Sequence, residues 1–257
     1  MGQFASVNGS QIYCEKEGSG PPLVFIHGGL VDSRSWAKQR PLAGDLTMIM
    51  PDTRGFGRSE GKLTGLSIKD LVSDVAGLLK DIGVQSAYVL GFSMGGMTAQ
   101  ALAIEHPTVV RGLVLCSTRP GGAPLRAAIR GPQEVPNHVK RAFSPGFVER
   151  ETAFMERYIA MATENESRGW YDVREAMNSA YQGDDIAKIN KPTLIIHARA
   201  DASIPLAEAE KLNELINDSR LEVVEDSGHT IQVERPDLFN NLLREFVIQC
   251  EARQEVA

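Results

Sequence analysis

Residues 87–100, AYVLGFSMGGMTAQ, constrain this chain more than any other stretch. A short apolar strand, Tyr88 to Leu90, runs into Gly-x-Ser-x-Gly at Gly91, Phe92, Ser93, Met94 and Gly95, and then into a helix of small residues. That succession reads as a nucleophile elbow. A serine lifted clear of a sheet by so tight a turn must take a positive φ, and side chains two positions to either side would collide. Gly91 and Gly95 remove the collision. Gly96 lets the helix approach its strand, and the helix N-terminus directs N–H groups at charge developing near Ser93. A five-residue match by itself is as compatible with a glycine-rich turn and a bystander serine, so the flanking strand and helix carry the assignment.

The rest of the chain is able to build a fold around that turn. With 257 residues and 42% apolar content it can bury a full core, which suits one large α/β domain with an insertion better than two equal domains. The apolar runs are far shorter than the ~20 residues that span a bilayer, and no charged-then-apolar leader opens the chain, so a cytoplasmic protein is expected. Cys14, Cys116 and Cys250 are odd in number and lack metal-ligand spacing, which suits reduced, buried thiols. A net charge of −6 with acids and bases interspersed argues against nucleic acid or an anionic membrane as partner. Met1, Gly2 and Ser6 fit a permissive myristoylation pattern, but the same residues open a plausible first strand.

Strand and helix signals alternate along the chain. Residues 3–7 and 11–17 flank Asn8-Gly9, a hairpin dipeptide, so the sheet should start antiparallel. Leu23 to Ile26 is a continuous apolar run, as in a strand covered on both faces, and it ends at His27-Gly28-Gly29-Leu30. Glycines at that end are read as turning a backbone N–H, that of Gly29, toward the reaction centre, where it pairs with the N–H of Met94 as an oxyanion hole. His27 reads as a structural histidine behind the loop. Leu46 to Met50 forms the next strand, followed by a tight loop that Asp52 and Arg54 should pin internally. Ile68 to Ile82 carries apolar residues three or four apart and reads as an amphipathic helix ended by Gly83. His106 marks the end of the helix after the elbow.

The alternation stops after the Gly112 to Cys116 strand and resumes at Pro192-Thr193-Leu194. Residues 119–133 are loop-like, and helical patterns over 147–162 and 170–181 follow, so 119–190 read as a helical cap over the strand ends, with 1–118 and 191–257 as the core. Most of its Met and aromatic residues should be packing; Leu30, Met155, Trp170 and Met177 are the candidates to line a pocket. Beyond the cap, Asp201 lies on a loop just past a strand end and is the candidate acid. His229 follows a glycine after the last strand and is the candidate base. His138, in the cap, and His197, at an earlier strand end, do not fit that position.

The order Ser93, Asp201, His229, each after a strand, resembles that of the α/β-hydrolase family. The resemblance covers nearly the whole chain: His27-Gly28-Gly29 with Trp36 downstream, DTRGFGRS at 52–59, the elbow, Asp201 to Pro205, and Gly228-His229. It implies an α/β-hydrolase fold, a mostly parallel eight-stranded sheet flanked by helices with a helical cap insertion. The chain looks like the small capped esterases and enol-lactonases, with relatives among cofactor-free perhydrolases and carbon–carbon bond hydrolases, whereas Ser93 disfavours members with an aspartate nucleophile. The implied chemistry is acyl transfer to Ser93 from a small to medium neutral ester or lactone, with no metal or organic cofactor, in a monomer or homodimer. A ligand-sensing receptor on the same fold is the rival from another class.

Overall fold

The computed structural model describes residues 2–121, 129 and 131–256, with side chains through residue 253. Strands β1 (Gly2–Val7) and β2 (Ser10–Glu17) meet through Asn8 and Gly9 at φ 49° and 75°, the two left-handed residues a tight hairpin turn requires. The remaining strands are β3 (Pro22–Ile26), β4 (Thr47–Pro51), β5 (Ala87–Phe92), β6 (Val110–Cys116), β7 (Thr193–Ala198) and β8 (Ser219–Val224). They form one eight-stranded sheet in the order β1-β2-β4-β3-β5-β6-β7-β8, antiparallel through β2 and β4 and parallel from β4 onward. This is the α/β-hydrolase sheet expected from the resemblance.

Helices α1 (Ile68–Asp81) and α2 (Met94–Glu105) follow β4 and β5. Between β6 and β7 lie α3 (Val135–Arg141), α4 (Pro145–Arg150), α5 (Thr152–Arg168) and α6 (Trp170–Ala176), and α7 (Leu206–Leu215), α8 (Ile231–Glu234) and α9 (Pro236–Val256) complete the chain. Both faces of the sheet are covered, which is why its central strands read as unbroken apolar runs. Val24 and Ile26 pack with Leu71, Leu78 and Met97 on one face, while Leu23 and Phe25 pack with Trp36, Phe239 and Leu243 on the other. Each large side chain so buried contributes about 1.5–3 kcal/mol. Helix α2 is buried on every side from Met94 to Ala103, which its small residues make possible. None of the described helices is long and apolar enough to cross a membrane.

The insert departs from the expected pattern. Instead of one helix over 147–162, α4 stops at Arg150, where Glu151 leaves the helical region at φ −108° and ψ 43°, and α5 begins. The second pattern ends at Ala176, and a short 3-10 turn continues it from Met177 to Ser179. Helix α3 forms where none was expected; Pro136 stands in its first turn, where the missing N–H costs nothing. Of the expected loop, residues 122–128 and 130 lie outside the described residues, as does Met1 of the myristoylation pattern, while Gly2 and Ser6 belong to β1. Residues Ser33–Gly44 form a 3-10 stretch that the sequence did not announce.

Asp52 and Arg54 each pin the loop after β4 as expected, Arg54 by donating to the Lys62 carbonyl at 3.2 Å, but they do not pair with each other and both also reach outside the loop. Asp52 accepts from the N–H of Arg58 at 2.8 Å, and from the N–H of Ser33 at 2.8 Å in the loop after β3. Arg54 instead makes a two-bond pair with Asp74 of α1, at 2.8 and 2.6 Å, with both side chains buried. Planar guanidinium matches a carboxylate in this fork geometry, and a buried charge needs such a partner. Asp74→Ala, by leaving that guanidinium buried with only the Lys62 carbonyl as partner, should lower the unfolding free energy by about 3–5 kcal/mol. Urea titration followed by tryptophan fluorescence will measure it, and a loss below about 1 kcal/mol would mean the pair is solvated in solution.

Candidate active site

The turn from β5 to α2 places Ser93 at φ 52° and ψ −115°, a region that costs a non-glycine residue about 1–3 kcal/mol. A side chain on Gly91 would run into Gly95 and the Cα of Gly96, at 2.6 Å, and one on Gly95 into the carbonyls of Ile26 and His27. Bonds on both sides hold the strained residue. Its N–H donates to the Cys116 carbonyl at 2.9 Å, and its own carbonyl accepts from the Thr118 hydroxyl at 2.6 Å. Met94 is the first residue of α2, and the leading N–H groups of a helix have no partner inside it.

The loop after β3 lies directly against this turn. A side chain on Gly28 would come within 3.3 Å of Ser93 Cβ and 2.7 Å of the Phe92 ring. His27 is fully buried, its Nε2 accepts from the N–H of Thr53 at 2.8 Å, and its Nδ1 therefore donates to the Gly28 carbonyl, also at 2.8 Å. That bond turns the Gly28 carbonyl back toward the imidazole. In a trans peptide the N–H of Gly29 then points the opposite way. His27 is thus structural in the sense expected, and burial pushes its pKa below 6.5, so the ring is neutral at pH 7.

Asp201 and His229, distant in sequence, meet at the ends of β7 and β8. Asp201 Oδ2 accepts from His229 Nδ1 at 2.7 Å, and Oδ1 accepts from the N–H groups of Ser203 and Ile204 at 2.7 and 2.9 Å. Burial raises the pKa of this carboxyl, but His229 and the two N–H groups outweigh it, and the group is held below its ordinary range. With Nδ1 engaged, Nε2 is the imidazole nitrogen left to exchange a proton. The ring packs against Phe92, the residue before Ser93, with centroids 5.0 Å apart. His197 also belongs here: its Nε2 lies 3.5 Å from Asp201 Oδ2 and donates to the Ile204 carbonyl at 3.0 Å.

The four pocket candidates are distributed rather than gathered. Leu30 and Met155 are buried in a cluster with Phe143, Phe147 and Tyr158, whereas Met177 is buried on the other side with Met94 and Met97. Trp170 touches both clusters and lies over Gly29, where an added side chain would meet its ring. His138 is neutral, since burial and the charges of Arg141 and His229 hold its pKa at about 4. Phe92, Thr118 and Asn165 are contacts at this site that the sequence did not single out. Phe92 alone had a signal, as the free position of the elbow pattern. The three cysteines are buried, and burial pushes Cys14 and Cys116 up to about 12, so neither supplies a thiolate at pH 7. No cluster of metal-binding side chains occurs among the described residues.

Comparison with known proteins gives the same fold and a range of chemistries. Residues 23–242 match the model of the alpha/beta hydrolase family. The chain is 31% identical over 91% of its length to the 2-hydroxymuconate semialdehyde hydrolase of Pseudomonas sp. (strain CF600), covering 89% of that protein. It is 29% identical to 3-oxoadipate enol-lactonase 2 of Acinetobacter baylyi (strain ATCC 33305 / BD413 / ADP1), with 86% of each covered. The crystal structure of the enol-lactonase from Burkholderia xenovorans LB400 superposes with a TM-score of 0.90 at 25% identity, over 96% of this chain and 100% of that one.

Neutral buried histidines give this end of the molecule a defined pH response. His27 and His197 are held below 6.5 by burial and His138 at about 4, so below 6.5 the unfolded chain takes up protons that the folded chain refuses. Stability should therefore be level above pH 7 and fall as the pH drops through 6.5 toward 4, by at most about 1.4 kcal/mol per pH unit for each histidine. The depressed Asp32 and Asp201 carboxyls add to the loss only at still lower pH. Calorimetric Tm values from pH 8 to pH 4.5 test this, and a Tm that rises toward acid would contradict the neutral assignment.

Proposed function

The chain belongs to the alpha/beta hydrolase family, and from that footing we propose that it is a serine hydrolase cleaving a small to medium neutral ester or lactone through an acyl-enzyme. The observation that carries this reading is the Asp201–His229 hydrogen bond at 2.7 Å, on an imidazole packed against the residue that precedes Ser93. In this reading His229 Nε2 takes the proton of Ser93 Oγ as that oxygen attacks the carbonyl carbon. Asp201 holds the Nδ1–H tautomer and stabilises the imidazolium. The N–H groups of Gly29 and Met94 receive the oxyanion, the carbon–oxygen bond to the leaving group breaks, and the imidazolium returns its proton to the departing alkoxide. Water then attacks the acyl carbon by the same route and frees Ser93.

The 119–190 insert acts in this scheme as a cap in which Trp170, over Gly29, borders the acyl group, with Leu30 and Met155 in the cluster on one side of it and Met177 in the cluster on the other. Its apolar character supports a neutral substrate. The likeness to an enol-lactonase supports a lactone as readily as an open ester. A second reading, hydrolysis of a carbon–carbon bond beside a carbonyl, is supported by the 31% identity to a semialdehyde hydrolase. The same serine, base and oxyanion donors serve both, with carbon instead of oxygen as the leaving atom. A cytoplasmic location and a monomer or homodimer complete the proposal.

Ser93→Ala should lower kcat on any turned-over substrate by on the order of a thousand-fold or more with the Tm unchanged, and Asp201→Asn by about 10³–10⁴-fold. Steady-state kinetics on p-nitrophenyl esters from acetate upward, beside a panel of lactones and a vinylogous β-diketone, identifies the substrate class. An optimum at short or medium acyl chains, each methylene counting about 1–3 kcal/mol, supports the esterase reading. Cleavage of the diketone alone would overturn it in favour of the carbon–carbon hydrolase, and retained activity in Ser93→Ala would remove the nucleophile.

A further inference from the structure

Asn165 sits near the end of α5, in the insert, with no exposed surface. A buried amide must be hydrogen-bonded on both its oxygen and its nitrogen, and here every partner belongs to a loop at the strand ends. Its Oδ1 accepts from the N–H of Gly57 at 2.7 Å, in the loop after β4. Its Nδ2 donates to Asp32 Oδ2 at 2.9 Å, with a longer approach of 3.4 Å to the Leu30 carbonyl, both in the loop after β3. The amide orientation follows from its partners, because a peptide N–H only donates and a carboxylate only accepts.

The loop so gripped is under strain. Leu30, the residue after Gly29, has φ 66°, a left-handed conformation that a leucine keeps only when its surroundings over-determine it. Asp32 is 1% exposed; burial pushes its pKa up, but the bonds from Arg34 and Asn165 outweigh that and keep it ionised. Its Oδ1 also caps the following 3-10 stretch through the N–H of Arg34 at 3.0 Å, and the Arg34 guanidinium reaches Glu164, beside Asn165, at 3.0 Å. On the other side Asp52 joins the two loops through Ser33 and Arg58. Asn165 is the buried residue by which the insert enters this network, beside the exposed Arg34–Glu164 pair, and it needs one acceptor and one donor in a short side chain.

We propose that Asn165 is a positioning residue for the oxyanion peptide: by bonding Gly57, Asp32 and Leu30 at once, it makes the aim of the Gly29 N–H depend on the docked insert. This rests on the reading of Gly29 as an oxyanion donor. A displacement of a few tenths of an ångström at such a donor weakens transition-state stabilisation while leaving ground-state binding nearly untouched. A full oxyanion donor accounts for about 10²–10³ in kcat, so a misaimed one falls short of that.

The test combines hydrogen exchange with labelling of Ser93 by a fluorophosphonate. In Asn165→Ala, amides of residues 28–33 should exchange faster while those of β3 keep their protection, and labelling should slow by about 10- to 100-fold. On a turned-over ester, kcat should fall with labelling and KM should change by less than about threefold. Asn165→Asp sets a second carboxylate against Asp32 and should behave like the alanine variant, whereas adding Asp32→Asn restores a donor and acceptor pair and should recover part of the loss. Unchanged protection of 28–33, or faster exchange with unaltered labelling, overturns the proposal. If the alanine variant fails to fold, the swap decides: no recovery in the double variant over Asn165→Asp overturns it. Absence of labelling in the unaltered chain would strike the hydrolase reading instead, and the exchange at 28–33 would still decide the tie.

Discussion

The strained backbone of Ser93 is the constraint on which the arrangement at the strand ends depends. A serine at φ 52° would relax if its neighbours allowed it, and they do not. The bond from its N–H to Cys116 fixes it to the neighbouring strand, and the Thr118 hydroxyl on its carbonyl fixes it to the turn that follows. Behind it, α2 is enclosed by side chains on every face and has nowhere to shift. The same close contacts admit no side chain at Gly91 or Gly95, so the glycines and the strain are one device. Apolar burial over the sheet stabilises the whole by far more than the local cost, which is how a small strained turn persists.

Three loops are then brought to this turn by strand order alone. Because β3, β5, β6, β7 and β8 run parallel, their carboxyl ends share one edge, and Gly29, Ser93, Asp201 and His229 arrive there without contact along the chain. Fine placement is left to side chains. His27 orients the Gly28 peptide, Asp201 orients His229, and the backbone N–H groups of Ser203 and Ile204 orient Asp201 in turn. Neutral imidazoles and ionised carboxylates coexist here since each carboxylate meets donors and His27 meets a backbone carbonyl and N–H.

The features legible in the sequence are those that depend on neighbours in the chain. Asn8-Gly9 specifies a turn by its own dihedral preferences, the period of Ile68 to Leu79 specifies a helix, and the apolar runs specify strands covered twice. The elbow is legible because its pattern is local and Gly91 is demanded by contacts within five residues, although Gly95 is demanded by the carbonyls of Ile26 and His27 on another strand end. The 3-10 stretch at 33–44 has no such period and contains Pro41, so nothing in the sequence marks it. In the insert, Pro136 and Pro145 stand in the first turns of α3 and α4, where proline is tolerated but does not by itself announce a helix. Partner choice was least legible: Asp52 and Arg54 stand two apart, yet each finds a partner elsewhere, because charges pair by distance in space. Asn165 had no local signal at all, being one polar residue on a helix.

The insert is tied to the loops at the strand ends in more than one place. Besides Asn165 on the loop after β3, Glu234 accepts from the N–H and hydroxyl of Ser144 in the insert and from the N–H of Gly228, at 2.9 Å, just before His229. The backbone of Phe143 and Ser144 lies so close to Gly228 that a side chain there would approach to 2.8 Å. The loops after β3 and β8 therefore both rest on the insert through polar contacts, buried at Asn165 and partly buried at Ser144. Between these ties, Phe147 meets Phe154 edge-to-face and Phe154 lies tilted against Tyr158. The aromatic packing and the polar ties are therefore carried by different residues of one insert.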